Sequence, residues 1–307
     1  MRTRSLPARL VLTALSLAAL LLAGCKSEPQ APATTGSGSA TAAPARPPVK
    51  PYLFKADKDG KTTYLLGTMH LGVDPERLPA SVYAKLDAAT TLVVETDLTD
   101  PAALKIGLRS DGSTLDVELG PEYWAKFVAV VGETMAGAAR HMSMMAAASL
   151  LEASMLPQTA PMDLILVGRA KNASKPIAYL ESISSQVAVL GKWMDARAVK
   201  YMLDHLEHGK KAALEGLAAY EAGDDKLLDK MMDSKDWVDS GRTEAELVQF
   251  KEDLLYGRNA AWIPRLEQLH AEAGPGGVFV AVGAAHLLGP RSVIELLTQR
   301  GFTITRP

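Results

Sequence analysis

Cysteine is almost missing from this sequence: Cys25 is the only one. A single thiol excludes an internal disulfide and any metal site built from several cysteines. No run at the amino terminus is long enough to span a bilayer, since Leu10 to Ala23 offers about 14 apolar residues against the ~20 that a spanning helix needs. Basic clusters are missing too. With 33 basic against 35 acidic residues, the chain lacks the positive surplus with which proteins grip nucleic acid. There is no Gly-x-Ser-x-Gly elbow, no Walker loop and no His-Glu-x-x-His, which turns the search away from serine hydrolases, nucleotide hydrolases and thermolysin-like enzymes. No fixed-period repeat runs through the chain, so a solenoid is excluded.

What is present begins with an address. Arg2, Arg4 and Arg9 precede the apolar run without an acid among them, and Leu22-Ala23-Gly24-Cys25 closes it with small residues. This order reads as a lipoprotein signal peptide over residues 1–24, with Cys25 as the lipidated first residue of the mature chain. Its removal takes three arginines from a formal charge of −2, leaving a mildly acidic body. Lipidation would also consume the thiol, so thiolate catalysis is not expected. Lys26 follows where an aspartate would favour inner-membrane retention, which points to the outer membrane facing the periplasm, with membrane contact through the lipid alone. Residues 25–51 are rich in Ala, Pro, Ser and Thr and read as a flexible tether. Residues 52–307 remain, enough for one large α/β domain.

Within that domain, Tyr52 to Ala56 and Lys61 to Leu66 flank Asp57-Lys58-Asp59-Gly60 and predict an opening β-hairpin. A helix is expected over Ser81–Ala89 and a strand over Thr91–Val94. The long stretch from Pro121 to His270 reads as mostly helical, broken by a short strand at Lys175–Leu180. The chain then closes with strand Val278–Val282, helix Ser292–Gln299 and strand Phe302–Thr305. Alternation of this kind predicts central β-sheet with a large helical middle section.

Two segments share a strand-Gly-x-x-His pattern: Tyr64-Leu-Leu-Gly67-Thr-Met-His70 and Phe279-Val-Ala-Val-Gly283-Ala-Ala-His286. In each, an apolar strand ends at glycine and the histidine follows in the loop, where open α/β sheets place their ligand chemistry. Glu95 and Glu181 likewise fall at or just beyond strand ends. Two imidazoles and one or two carboxylates on a common rim would suit a divalent metal ion, with a carboxylate left over as general base. The bland alternatives are turn histidines, a solvated Glu95 and a helix-capping Glu181. A second cluster, Tyr256-Gly-Arg258-Asn259-Ala-Ala-Trp262, places Arg258 and Trp262 on one helix face. It reads equally as a core tryptophan with an arginine packed on it or as an Arg–Asn pair offered to a substrate. His205 and His208 lie among lysines and read as a solvated helix face, and His141 and His270 have no companion motif.

Taken together, Leu66-Gly67-Thr68-Met69-His70, Val94-Glu95-Thr96-Asp97, Leu180-Glu181 with Gln186, Tyr256 to Asn259 with Trp262, and Val282 to Leu287 resemble the TraB/GumN family, whose animal relatives include the Tiki proteins. The resemblance implies a Tiki/erythromycin-esterase-like α/β fold and a metal-dependent protease using manganese or cobalt, with zinc also compatible with the ligand types. On this reading His70, His286 and Glu95 hold the metal, and Glu95, Glu181, Arg258 and Asn259 are catalytic. Gln186 and Arg258 meet a peptide or protein substrate. The family often has a second glycine where this chain has Ala285, and acids where it has Ser184 and Ser185. Two other functions stay open: a metal-independent, esterase-like hydrolase, and a lipoprotein that binds a peptide or small molecule in the same cleft without turning it over.

Overall fold

Asp59 and Gly60 both adopt positive φ, at 50° and 74°, the conformation of a tight two-residue hairpin turn. They join β1 (Tyr52–Lys58) to β2 (Lys61–Thr68), paired antiparallel from Tyr52↔Gly67 to Lys58↔Lys61. In the computed structural model, which describes residues 47–97, 99–100, 107–232 and 241–307, this hairpin belongs to a six-stranded sheet of order β4-β3-β5-β2-β1-β6. The remaining strands are β3 (Thr91–Val94), β4 (Ile177–Tyr179), β5 (Val278–Gly283) and β6 (Thr303–Thr305). Neighbours β4, β3, β5 and β2 run parallel, so their carboxyl ends share one edge. Only β1 runs against its neighbours.

The central strand explains the layers. Every residue of β5 is buried, as expected where both faces of a parallel sheet are covered. Phe279 and Ala281 pack with Leu66, Leu92 and Val94 into the larger core, on the side of the helical section. Val278, Val280 and Val282 pack with Leu65 and Val93 against Trp262, Ile263, Leu266 and Leu297 on the other side. The two-residue period of the strand thus sorts its side chains between two helical layers.

Helix α1 (Ala80–Ala88) crosses from β2 to β3. The middle section contributes α2 (Leu115–Val131), α3 (Glu133–Ala139), α4 (Met144–Met155) and α5 (Met162–Asn172) before β4. After it come α6 (Ile183–Trp193), α7 (Ala196–Asp204), α8 (Leu206–Ala222), α9 (Asp225–Met232) and α10 (Glu244–Lys251). A π-helical turn over Glu252–Tyr256 leads without a break into α11 (Gly257–Glu272), and α12 (Val293–Gln299) joins β5 to β6. The expected mixed α/β architecture is therefore observed. The two Gly-x-x-His segments end neighbouring strands of one sheet.

The signal segment, Cys25 and the tether as far as residue 46 lie outside the described residues. The last residues assigned to the tether are seated on the domain. Val49 is 1% exposed, its amide donates to the Arg77 carbonyl, and that of Lys50 donates to Glu221. The Arg77 guanidinium reaches the Pro47 carbonyl. No helix of the described residues is long and apolar enough to cross a membrane.

Candidate active site

Parallel order brings the four strand-end residues onto one edge, in the sequence Glu181, Glu95, His286, His70 along it. Glu95 directly follows β3, Glu181 lies two residues past β4, and His286 closes a 3-10 turn (Ala284–His286) after β5. Gly283 sits in their midst. A methyl group placed on it would meet Glu95 Oε1 at 3.4 Å and both His286 Cδ2 and His70 Nε2 at 3.6 Å. A methyl there would make ordinary van der Waals contact with all three, so Gly283 marks the point that the three groups face. Gly67, in the other copy of the motif, plays a different part. There an added Cβ would lie 3.0 Å from both the Ala284 Cα and the Tyr52 Cβ, so Gly67 permits close packing of strand on loop.

Each imidazole is held from behind. His70 Nδ1 makes a short hydrogen bond to Asp163 Oδ2, and Asp163 is itself fixed by Thr68 Oγ1 at 2.9 Å. His286 Nδ1 lies 2.6 Å from Asn259 Oδ1, and Asn259 donates its amide to the Arg291 carbonyl at 2.9 Å. Because the Asn259 oxygen only accepts, the proton of neutral His286 resides on Nδ1 and Nε2 carries the lone pair. Outer oxygens that fix the tautomer of an imidazole and aim its Nε2 are the usual support of histidine metal ligands.

Arg258 lies between the acids. Its Nη2 donates to Glu95 Oε2 at 2.7 Å and to Glu181 Oε1 at 2.5 Å, Nε reaches Glu181 Oε1 at 3.1 Å, and Nη1 lies 3.2 Å from His286 Nε2. Its guanidinium also stacks over Trp262, 4.8 Å from the ring centroid. Trp262 is 1% exposed and belongs to the second core, so both readings of this cluster describe part of it. The π turn is what presents Arg258. Gly257 donates its amide to the Glu252 carbonyl, and an added Cβ would come within 3.0 Å of that oxygen. Such turns are frequent at functional sites because they re-aim the residues that follow.

The site's electrostatics separate its two carboxyls. Burial pushes Glu95 up, but Arg258 foremost, then the two imidazoles and the Gly283 amide, overcome it and hold the carboxyl at about 2. Glu95 also accepts from Gln186 at 2.9 Å and from the Gly283 amide at 2.8 Å. Burial raises Glu181 above its ordinary range despite Arg258, and the Glu95 charge adds to the rise. Two carboxyls driven apart in this way point to one fixed anion and one proton carrier. The imidazoles diverge as well. Burial, only partly opposed by Glu95, takes His286 down to about 3, whereas at His70 the Asp163 carboxylate overrides burial and brings the ring up to about 9.

The donor types of His70 Nε2, His286 Nε2 and Glu95 Oε1 suit a divalent ion, and His286 Nε2 and Glu95 Oε1 are 3.8 Å apart. Among the described residues no three such side chains are yet drawn around a single point. Coordination at His286 would take the lone pair that Arg258 now faces, so the ion and the present pose of the guanidinium compete for it.

All the proposed site residues of the domain, namely His70, Glu95, Glu181, Gln186, Arg258, Asn259 and His286, meet in this one network. Glu181 does not cap α6; Ser182 does, accepting the Ser185 amide. Asp163 went unrecognised in the sequence, where an acid in the first turn of a helix is an ordinary feature. His270 has a structural place, between Thr63 Oγ1 and the Lys58 carbonyl.

Over the rim opens a cavity of about 110 Å³. Met69, Leu71, Leu156, Leu190, Leu254 and Leu288 give it an apolar wall, and His70, Gln186, Arg258 and His286 form its polar floor. A smaller cleft, lined by Asp97, Thr99, Val167 and Tyr179, also reaches His70 and Glu95. Comparison with curated proteins and with solved structures returns no match. A family model described as TraB/PrgY/gumN matches residues 52–306, the stretch that holds the sheet, the helical section and every residue of this network. The chain belongs to the TraB/PrgY/gumN family.

Proposed function

We propose that this protein is a divalent-metal-dependent hydrolase that cleaves amide bonds of peptides or proteins in the cell envelope, on a scaffold of the Tiki/erythromycin-esterase-like type. One observation carries the reading: two imidazoles and a carboxylate oxygen, each fixed from behind, converge beside Gly283 on the floor of an apolar cavity. His70, His286 and Glu95 would hold the ion, with manganese or cobalt first in line and zinc also suited to these ligands. When bound, such an ion polarises a carbonyl and makes a water molecule more acidic.

The side chains of the chain divide the remaining work. Asp163 and Asn259 keep the imidazoles oriented. Arg258 foremost, with the imidazoles and the Gly283 amide, keeps Glu95 ionised, and Gln186 orients it. Glu181, with its raised proton affinity, takes the proton from water and returns it to the leaving amine. Arg258 brings planar donors to the oxygen on which negative charge develops. The apolar wall binds nonpolar side chains of the substrate and keeps water away from the floor.

A second reading is favoured by the Arg258 geometry. Its guanidinium already satisfies Glu95, Glu181 and His286, so a metal-independent hydrolase could use it as a permanent cation. Metal analysis of the purified protein, followed by peptide-library cleavage with and without chelator, tests both. Activity that chelator abolishes and manganese or cobalt restores is the expected result. Activity indifferent to chelator, from protein without bound metal, would select the second reading, and no turnover under any condition would defeat both in favour of a binding protein.

A further inference from the structure

Glu152 is a carboxylic acid on a helix built for packing. Its neighbours on α4, from Met144 to Leu151 and again Ala153 and Met155, are buried, so the helix supplies core on nearly every side. Leucine or methionine would suit position 152 equally well if packing were its only role. The Glu152 side chain instead lines the main cavity, together with His70, Leu156, Tyr220 and Leu254. It has no hydrogen-bond partner among the described residues. Burial raises its proton affinity, and the only opposing influence is the charge of His70. An unpaired carboxyl in an apolar wall costs stability, and such groups persist where a ligand completes them.

The cavity lining therefore carries Glu152 in addition to the Arg258–His286–His70 floor, with leucine and methionine side chains on the same surface. Among the described residues, the only arginine or lysine on its lining is Arg258, which the two floor glutamates already engage. We propose that Glu152 is a ligand-binding residue that receives an amino group carried by an apolar ligand, whose nonpolar body fills the cavity. An alkylammonium ion, the form such an amine takes near neutral pH, would displace the carboxyl proton to solvent and pair with the carboxylate. The proposal rests on the cavity being the substrate-binding part of the hydrolase described above; its test reads binding alone and so stands apart from turnover.

The probes are n-octylamine and n-octanol, matched in length and differing in the group offered to Glu152. Binding to the purified mature protein is measured by calorimetry for wild type, Glu152→Gln and Glu152→Leu. Wild type should bind the amine about tenfold or more tightly than the alcohol, as a charge-assisted contact in an apolar site implies. Both variants should lose that preference while holding octanol as wild type does, and Glu152→Leu should melt no lower than wild type. Equal affinities in wild type, a preference that survives in Glu152→Gln, or failure of wild type to bind either probe would overturn the proposal. So would a large drop in the melting temperature of Glu152→Leu, which would make Glu152 a structural residue. If the protein prefers the amine but hydrolyses no peptide, the ligand assignment stands and the hydrolase reading falls.

Discussion

Replacing each motif glycine by alanine should damage the protein in opposite ways. At Gly67 the new methyl would sit 3.0 Å from two carbons, one of them the backbone Cα of Ala284. Strand and loop must then separate. Overpacking of this kind costs ~1–3 kcal/mol, which for a domain of this size lowers the melting temperature by on the order of 2–12 °C. At Gly283 the nearest atoms are 3.4–3.6 Å away and φ is −50°, a conformation alanine adopts freely, so stability should change by less than about 1 kcal/mol in either direction. The same methyl, however, takes up the space on which His70 Nε2, Glu95 Oε1 and His286 converge. Gly283→Ala should therefore lose metal affinity and peptide cleavage by at least about tenfold, the lower range for disturbing a well-placed site. Differential scanning fluorimetry, metal titration and a cleavage assay on both variants and wild type give the comparison. A Gly283→Ala protein that melts normally and keeps full metal affinity and activity would refute the assignment of the site. A Gly67→Ala protein as stable as wild type would refute the packing argument.

Other consequences are equally direct. Arg258→Lys keeps the charge but cannot span Glu95, Glu181 and His286 with one planar fork; cleavage should fall by about tenfold or more with folding intact, and a core-like drop in melting temperature with unchanged activity per folded molecule would leave Arg258 a packing residue only. In metal-stripped protein, stability should depend on pH through both imidazoles. His286, depressed to about 3 when folded, contributes stability that is present above its unfolded value of ~6.5 and lost as pH falls toward 3. His70, raised to about 9, contributes stability that is complete below ~6.5 and lost as pH rises through 9. Melting temperature should thus be highest near neutrality, with His286→Gln flattening the acid limb and Asp163→Asn the alkaline one; limbs unchanged in both variants would contradict these assignments. Lipid attachment at Cys25 should retain the protein in the outer-membrane fraction and release it on Cys25→Ser, whereas an unmodified Cys25 in mass spectra would exclude the anchor.

Some of this network was legible in the sequence because it follows from local chain geometry. A run of β-forming residues that ends at a glycine, with a histidine just beyond, marks a strand end whatever the rest of the chain does. Four parallel strands then oblige His70, Glu95, Glu181 and His286 to share an edge. Asp59-Gly60 gave the first hairpin for the same local reason. Asp163, Glu152 and the π turn before Arg258 depend on how distant segments cross. Asp163 reaches His70 from the first turn of α5, where an acid needs no other explanation. Glu152 occupies an alanine- and leucine-rich helix whose pattern reads as packing throughout. The π turn has no side-chain period of its own, so the face that Arg258 and Trp262 share could be read while its direction could not.

The division between legible and hidden residues has a physical counterpart in the site. The strand-end groups are rigidly placed by the sheet, and the residues that tune them come from the helical section: Asp163 on α5, Gln186 on α6, and Arg258 and Asn259 on α11. A shift of one helix against the sheet would change the protonation and partners of an imidazole without moving its backbone. Arg258 is the most exposed to such a shift, because it alone touches Glu95, Glu181 and His286 at once and its aim depends on the π turn. The sheet thus fixes where these strand-end groups stand, and the placement of α11 decides whether His286 and Glu95 face a guanidinium.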